Sequence, residues 1–156
     1  MAMFMGGKPD EVYSSLTQGN TPGLGDIYTD HNGNRYVFVQ ASGSVAQYDV
    51  VAIDSSNVAQ AITKALSDTG PDVGVALATL TSASYGWAQI RGSCSVNVLA
   101  TCSSSIALYT SGTAGKLDDT TTSQNKIAGL VILSNNTTTA TQAIVGMMST
   151  RPFAAL

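Results

Sequence analysis

One stretch of the sequence, DIYTDHNGNRYVFVQ at residues 26–40, restricts the fold more than any other part of the chain. It places Asn32 and Gly33 between two short runs of apolar and aromatic residues. An Asn-Gly pair readily adopts the positive φ angles that a tight hairpin needs, and such flanking runs are typical of paired strands. The segment therefore predicts two antiparallel strands joined by a turn.

Similar short strand patterns recur along the chain. Polar turns separate YDVVAID, NVAQAI, VGVALA, YGWAQIRG and IAGLVIL. Residues 58–66, VAQAITKAL, fit either a strand or a helix. About ten short strands with turns every eight to twelve residues are the pattern of a sandwich or a barrel. We predict an all-β fold, a compact β-sandwich or β-barrel of about ten short antiparallel strands with an extended N-terminal arm.

The composition favours strands and restricts the partners. Only 11% of the 156 residues are charged, so long exposed helices would lack the Glu and Lys pairs that support them. The net charge of −3, without any cluster of Lys or Arg, predicts no nucleic-acid binding. Neither a signal-peptide pattern nor an apolar run of about 18 residues is found. The sequence thus predicts no membrane association and synthesis in a cytoplasm.

The chain divides into an arm and a β domain. Residues 1–25 are rich in Gly and lack a sustained period, which predicts an extended arm, and residues 26–156 form the β domain. The arm is either a frayed terminus or a segment that becomes ordered against a partner. Its apolar side chains are the candidate contacts: Met3, Phe4, Met5, Val12, Tyr13 and Leu16.

The β domain itself contains a faint internal repeat. Two segments, at about residues 45–92 and about residues 106–147, show the same succession of strand, polar turn, strand and glycine. In this alignment Gly74 matches Gly129, and Gly92 matches Gly146. We predict two related halves of one domain.

Patterns that could support catalysis are better explained as turns. Asp68 lies in the Asp-Thr-Gly triplet of aspartic proteases, but polar turn residues surround it and no second such aspartate is present. His31 is the only histidine and lies at the predicted hairpin tip, where a triad geometry is hard to maintain. The TSGTAGK segment that ends at Lys116 lacks the spacing of a phosphate loop. We predict no catalytic residues, no cofactor and no enzymatic activity.

Metal sites are not predicted either. Asp30, Asn32 and Asn34 resemble the start of a calcium loop, but Arg35 occupies the glycine position and no late glutamate follows. One histidine and two separated cysteines do not form a zinc set. Without a secretory signal, the two cysteines are predicted to be free thiols: Cys94 and Cys102.

Three longer stretches carry a resemblance: DVGVALATLTSASYGWAQIRG, ALYTSGTAGKLDDTTTSQNKIAGLVIL and AIVGMMSTRP. They resemble small head proteins of tailed bacteriophages that decorate or cement the capsid shell. The resemblance covers about residues 45–152 and leaves the arm outside. It implies a virion protein on the outer capsid surface, made in the host cytoplasm. It also implies the major capsid protein as partner and self-association as a homotrimer.

Strand alternation divides YGWAQIRG into two faces. Gly86, Ala88 and Ile90 form a small apolar face that can pack in a core. The opposite face is aromatic and polar, as protein interfaces are, although a tryptophan buried in its own domain is the alternative. Candidate interface residues on this face are Tyr85, Trp87 and Arg91, and Phe153 near the C-terminus either contacts a neighbour or folds back.

Two other functions stay open beside capsid decoration. A head or tail fibre or base protein would also be β-rich and trimeric, although no repetitive stalk is present. A carbohydrate-binding β-module would need an aromatic platform for stacking on sugars. Its candidate residues are Tyr48, Tyr85, Trp87 and Tyr109.

Overall fold

The structure is a computed structural model that describes residues 8–17, 21–104, 106–120, 124–136 and 142–148. Within these residues one short helix, α1 (Lys64–Ser67), accompanies the strands. The strands are β1 (Ile27–Thr29), β2 (Arg35–Ala41), β3 (Val50–Ile53), β4 (Val58–Ala61), β5 (Asp72–Ala76), β6 (Tyr85–Val98), β7 (Leu108–Thr110), β8 (Leu117–Asp118), β9 (Lys126–Ile127), β10 (Leu130–Ile132) and β11 (Gln142–Met148). The predicted all-β fold of short strands is confirmed, and its centre is a closed five-stranded barrel.

The predicted hairpin at residues 26–40 is confirmed as β1 and β2, which pair antiparallel. Gly33 takes the positive φ, at 82°, in the connecting loop. One oxygen of the Asp30 carboxylate accepts hydrogen bonds from the backbone N–H groups of Asn32 and Asn34, at 2.8 and 3.0 Å. The turn glycine and the capping carboxylate both come from the loop itself, so the local sequence specifies the turn.

The barrel consists of β2, β4, β3, β5 and the first half of β6, and it closes because β6 returns to pair with β2. We call residues 35–91 the first unit. Most pairings are antiparallel as predicted, but β2 and β4 run parallel. Val39, Val45 and Val51 are at most 1% exposed in its core. The ambiguous 58–66 stretch contains both structures, since β4 is followed by α1, whose N-cap is Thr63.

Strand β6 is longer than YGWAQIRG predicts and belongs to two sheets. Its first half pairs with β2 and β5, and its second half, beyond Gly92, pairs with β11 and β8. Gly92 has a φ of 101°, and the Asn34 side chain lies where a Cβ atom of residue 92 would be. A glycine is therefore required at the point where the strand passes from one sheet to the other.

Residues 92–148, the second unit, repeat the pairing pattern of the first. The second half of β6 pairs parallel with β8, as β2 does with β4. Strand β7 lies between β8 and β9, as β3 lies between β4 and β5. The last strand of each unit then pairs antiparallel with the first, β6 with β2 and β11 with β6. The repeated units thus share β6 and begin one strand earlier than the predicted halves at about 45–92 and 106–147.

The two units are packed together through β3. Its residues are buried on both faces, which explains the uninterrupted apolar run VVAI. Val51 and Ile53 pack in the core of the first unit. Val50 and Ala52 pack instead with Val96, Leu117 and other residues of the second unit. No helix long and apolar enough to span a membrane occurs in the described ranges.

Candidate partner-binding surface

The described part of the arm folds back on the first unit. Tyr13 forms an isolated antiparallel bridge with Tyr85, in which each backbone N–H donates to the other residue's carbonyl at 2.9 and 2.8 Å. The Tyr13 ring lies edge-on to Phe38 at a centroid distance of 5.6 Å. Tyr13 is therefore a contact within the chain, whereas the neighbouring Val12 and Leu16 are both 42% exposed.

An aromatic cluster lies under this part of the arm. Phe38 is fully buried at its centre, with the Trp87 ring 5.1 Å away in an edge-on arrangement. Tyr28 and Tyr36 stack at 5.8 Å, and Tyr28 also meets the edge of Trp87. The cluster comprises Tyr13, Tyr28, Tyr36, Phe38, Tyr85 and Trp87.

The burial of Trp87 corrects a prediction. With 3% of its surface exposed, Trp87 packs in its own domain and cannot be a direct partner contact. Both faces of the strand are covered here, because Gly86 and Ala88 are buried as well. The indole Nε1–H has no hydrogen-bond acceptor among the described residues, which costs about 1–3 kcal/mol that the packing of the rings must offset.

The other two candidates on this strand differ from Trp87. Tyr85 is half-buried, and its hydroxyl accepts a hydrogen bond from the Gln40 side chain at 3.1 Å. Arg91 is exposed at the end of the first unit. Met3, Phe4, Met5 and Phe153 lie outside the described residues. A sugar platform that includes Trp87 is not available, since the ring cannot be reached from solvent.

Exposed apolar side chains are concentrated in the arm and β1. Large hydrophobic residues exposed in the described ranges are Val12, Leu16, Leu24, Ile27, Ile106 and Leu133, so four of the six precede residue 28. In addition, β1 pairs with β2 and with no other described strand, so it lies at an edge of the sheet. We call Val12, Leu16 and Leu24 the N-terminal apolar surface. Ile27 lies on the opposite face of β1 from Tyr28, which contacts the aromatic cluster under the arm, and it lines a groove together with Val37. Leu24 and Ile27 were not predicted, although Ile27 stands in the predicted hairpin strand.

Two of the residues considered for catalysis, Asp68 and Lys116, have structural roles. The Asp68 carboxylate contacts the Lys64 ammonium at 3.2 Å and also accepts a hydrogen bond from the Asn125 side chain. These hydrogen bonds, led by that from Asn125, lower the pKa of Asp68, the opposite of a protonated catalytic aspartate. The Lys116 ammonium binds the buried Asp49 carboxylate at 3.0 Å instead of facing a ligand.

The two cysteines are unpaired and poorly reactive. Burial raises the pKa of Cys94 to about 12 and, with the nearby Asp119 and Asp118 charges, the pKa of Cys102 to about 11. The donor atoms of Cys102, Asp118 and Asp119 lie within 4.8 Å of one another. Asp119 also accepts a hydrogen bond from the Ser103 backbone N–H at 2.9 Å.

A groove of about 610 Å³ lies beside β1. Aliphatic residues from β1 and from both units line it, among them Ile27, Val37, Ile53, Val73, Ile90 and Leu130. Polar side chains, including Asn57, Asp72 and Lys126, complete its lining. The groove could not be found by sequence reasoning, since its walls come from segments far apart in the chain.

No family model, curated protein or solved structure matches this chain.

Proposed function

We propose that this protein is a virion structural protein that binds the outer surface of a phage capsid and stabilises contacts between major capsid proteins. The observation that carries the proposal is the N-terminal apolar surface on a chain with few charges. Three large aliphatic side chains are exposed there, close in sequence to β1, which lies at an edge of the sheet formed by the described strands. Such a surface is typical of protein contacts, because burying it against a partner releases ordered water and covers the edge.

The structure of the arm favours docking by a surface that is already formed. The Tyr13–Tyr85 bridge fixes the middle of the described arm, so Val12 and Leu16 are held beside the first unit before any partner binds. Preorganisation reduces the entropy that binding must overcome. A shell presents the same site many times, so modest contacts at each position add up to a large effect on the particle. We propose a homotrimer as the binding unit.

Trp87 then acts indirectly. The aromatic cluster supports Tyr13 from below, and Tyr13 in turn holds the arm. A substitution at Trp87 would therefore reduce the stability of the first unit as well as capsid binding. Since only 11% of residues are charged, we expect the binding to depend weakly on salt concentration.

The proposal is tested by a triple variant, Val12→Ser, Leu16→Ser and Leu24→Ser, in co-sedimentation with expanded capsids that lack the protein. Loss of these three contacts should weaken binding at least about tenfold, since burial of each side chain contributes roughly 1 kcal/mol or more. Deletion of residues 1–25 is a less direct test, because removal of Tyr13 would uncover Phe38.

The matched control is the double variant Ile106→Ser and Leu133→Ser, which removes exposed aliphatic side chains from the second unit. It should bind capsids within about twofold of the unaltered chain. Equal binding by the triple variant and the unaltered chain, or a larger loss in the control, would disprove the assignment of the docking surface. Sedimentation equilibrium tests the trimer, which should have three times the 16.0 kDa mass of the chain.

A further inference from the structure

The groove beside β1 is the mouth of the five-stranded barrel. Strand β3 ends there at Ile53, and β5 begins there at Asp72. Val37 of β2 and Ile90 of β6 line the same opening. The mouth of a barrel is a common ligand site, because the strand ends leave a cavity between apolar walls. The volume of about 610 Å³ is in the range that holds a small organic ligand.

Beside this mouth, three polar side chains form a row across the sheet. Thr29 of β1 pairs with Arg35 of β2, and Arg35 pairs with Arg91 of β6. The register shifts between Arg35 and Tyr36, so that Ile90 is the extra residue of a β-bulge. Directly opposite residues have their Cβ atoms about 5 Å apart on one face of a sheet. One hydroxyl and two guanidinium groups are therefore neighbours.

The row lies on the face of the strands that opens into the groove. On β2, Arg35 and Val37 are two residues apart and so share a face. On β1, Thr29 and Ile27 share that face in the same way. Ile27 and Val37 both line the groove, while the aromatic cluster lies on the opposite face. The barrel mouth thus combines apolar walls with a cationic rim.

The two arginines have no anionic partner among the described residues. Neither guanidinium takes part in an ion pair or a side-chain hydrogen bond there, and Arg91 is exposed while Arg35 is half-buried. Like charges directly opposite each other on two strands repel, which destabilises the pairing. A carboxylate between the two groups would relieve this repulsion, because it fits the fork of donors that a guanidinium presents.

The other charged groups around the mouth are balanced or engaged. Asp72 and Lys126 line the groove with opposite charges. The nearby Asp26 and Asp54 carboxylates accept hydrogen bonds from backbone N–H groups of their own loops. Because the chain carries a net charge of −3, attraction for an anion must come from a local pair of cations.

We propose that the barrel mouth binds an aliphatic carboxylate, with its carboxylate between Arg35 and Arg91 and its hydrocarbon chain in the groove. The Thr29 hydroxyl donates a further hydrogen bond to the carboxylate, and the chain packs against Ile27 and Val37. The groove lining, as far as the described residues form it, contains no aromatic ring, which favours an alkyl chain over a flat ring system. The site shares no residue with the N-terminal apolar surface, so the inference does not depend on the proposed function.

Isothermal titration calorimetry of the full chain with octanoate, octanamide and acetate tests the proposal. Octanamide keeps the alkyl chain but is uncharged, whereas acetate keeps the charge but lacks the chain. Octanoate should bind saturably, and the other two should bind at least about tenfold more weakly. Absence of octanoate binding at millimolar concentration would overturn the proposal, as would equal affinity for octanoate and either of the other two compounds.

Variants separate the cationic rim from the apolar walls. The double variant Arg35→Gln and Arg91→Gln should weaken octanoate binding about tenfold or more and leave octanamide binding within about twofold. Ile27→Ser, at the exposed rim, should weaken octanoate binding about threefold. Lys8→Gln is the matched control, because it removes an exposed cation from the arm, which packs over the opposite face of β2. It should change octanoate affinity less than about twofold.

Amide shifts in NMR spectra locate the bound ligand. Octanoate should shift the amide signals of Thr29, Arg35 and Ile90 more than those of Ile106 and Leu133, which are exposed elsewhere in the chain. The double arginine variant should show much smaller shifts at the same octanoate concentration. Larger shifts at Ile106 and Leu133, or equal octanoate affinity of the double variant and the unaltered chain, would overturn the proposal.

Discussion

The two units share one order of strand pairing but are stabilised in different ways. In the first unit, strands of four to seven residues surround a core made mostly of Val and Ala side chains. In the second unit, four of the strands have only two or three residues. The strand that would correspond to β5 is interrupted by Ala128 and Gly129 and appears as β9 and β10.

Side-chain hydrogen bonds compensate for these short strands. The Asp49 carboxylate binds Lys116 at 3.0 Å and accepts a hydrogen bond from the Asn97 side chain at 2.8 Å. The Asn136 side chain donates to the Leu99 carbonyl at 2.8 Å, and Thr110 bonds to Gln124 at 2.9 Å. The comparison teaches that the second unit, with shorter strands, adds individual polar contacts, one of them to Asp49 of the first unit, to an apolar core that includes Leu108 and Leu117.

The largest effect is expected at Gly92, which both units share. Gly92→Ala would place a side chain at a φ of 101° and against Asn34, whose own side chain is bonded to Asp30. We expect a loss of about 3 kcal/mol in the free energy of unfolding, from backbone strain and the displaced side chain together. Urea unfolding followed by circular dichroism and by Trp87 fluorescence measures it.

Gly43→Ala is the control, because nothing lies within 4 Å of a Cβ atom there. It should change the free energy of unfolding by less than about 1 kcal/mol. In Gly92→Ala the two probes should report the same midpoint, since β6 belongs to both units. Separate midpoints would show that the units are independent, and an unchanged stability would remove the role assigned to Gly92.

A smaller effect is expected at Lys116 of the second unit, which pairs with Asp49 of the first. Lys116→Met leaves the buried Asp49 carboxylate without its cation, and we expect a loss of about 2 kcal/mol. Lys64→Met is the matched control, because it breaks an exposed ion pair with Asp68 and should cost about 0.5 kcal/mol or less. Hydrogen exchange should show the loss of protection first at β7 and β8. Equal costs for the two variants, or loss of protection first at β2, would contradict this account.

Elements that depend on local residues could be predicted from the sequence, whereas elements that depend on distant contacts could not. The β1–β2 hairpin was predictable because the turn glycine, the capping Asp30 and the apolar runs are all local. The passage of β6 beyond Gly92 was not, because a glycine after an apolar strand usually indicates its end. Only the Asn34 side chain, brought near by the fold, shows why a glycine continues the strand there.

The candidate surface was also predicted only in part, because local patterns show which side chains share a strand face but not which distant residues cover them. Alternation correctly separates the faces of YGWAQIRG, but it cannot show that Tyr13 and Phe38 lie over Trp87. Val12 and Leu16 were predicted as arm contacts and are exposed, whereas Tyr13 in the same segment faces inward. Likewise the pair of Asp49 and Lys116 joins residues that are far apart in sequence, so no motif could predict it.

The smallest effect is expected at Asp30, in the hairpin attached to the first unit. Partial burial raises the pKa of Asp30, but hydrogen bonds from Asn34, Tyr36 and Asn32 outweigh it and hold the pKa below 3.8. A lowered folded-state pKa contributes stability above pH 3.8, and this contribution is lost as the pH falls through the folded-state value. Asp30→Asn should therefore lower the melting temperature at pH 7 by about 2 °C or less, and the difference should shrink below pH 3.8.

Tyr36→Phe sharpens the same experiment, because it removes one donor to Asp30 and keeps the carboxylate. In that variant the pKa of Asp30 should rise toward its ordinary value, measured by NMR titration of the carboxyl carbon. In the unaltered protein, burial and the Asp30 charge raise the pKa of Tyr36 to about 12, so its phenol remains protonated throughout this range. A melting difference that is independent of pH between 2 and 7 would show that Asp30 acts through turn geometry alone and that its charge does not contribute to the stability of the β1–β2 hairpin.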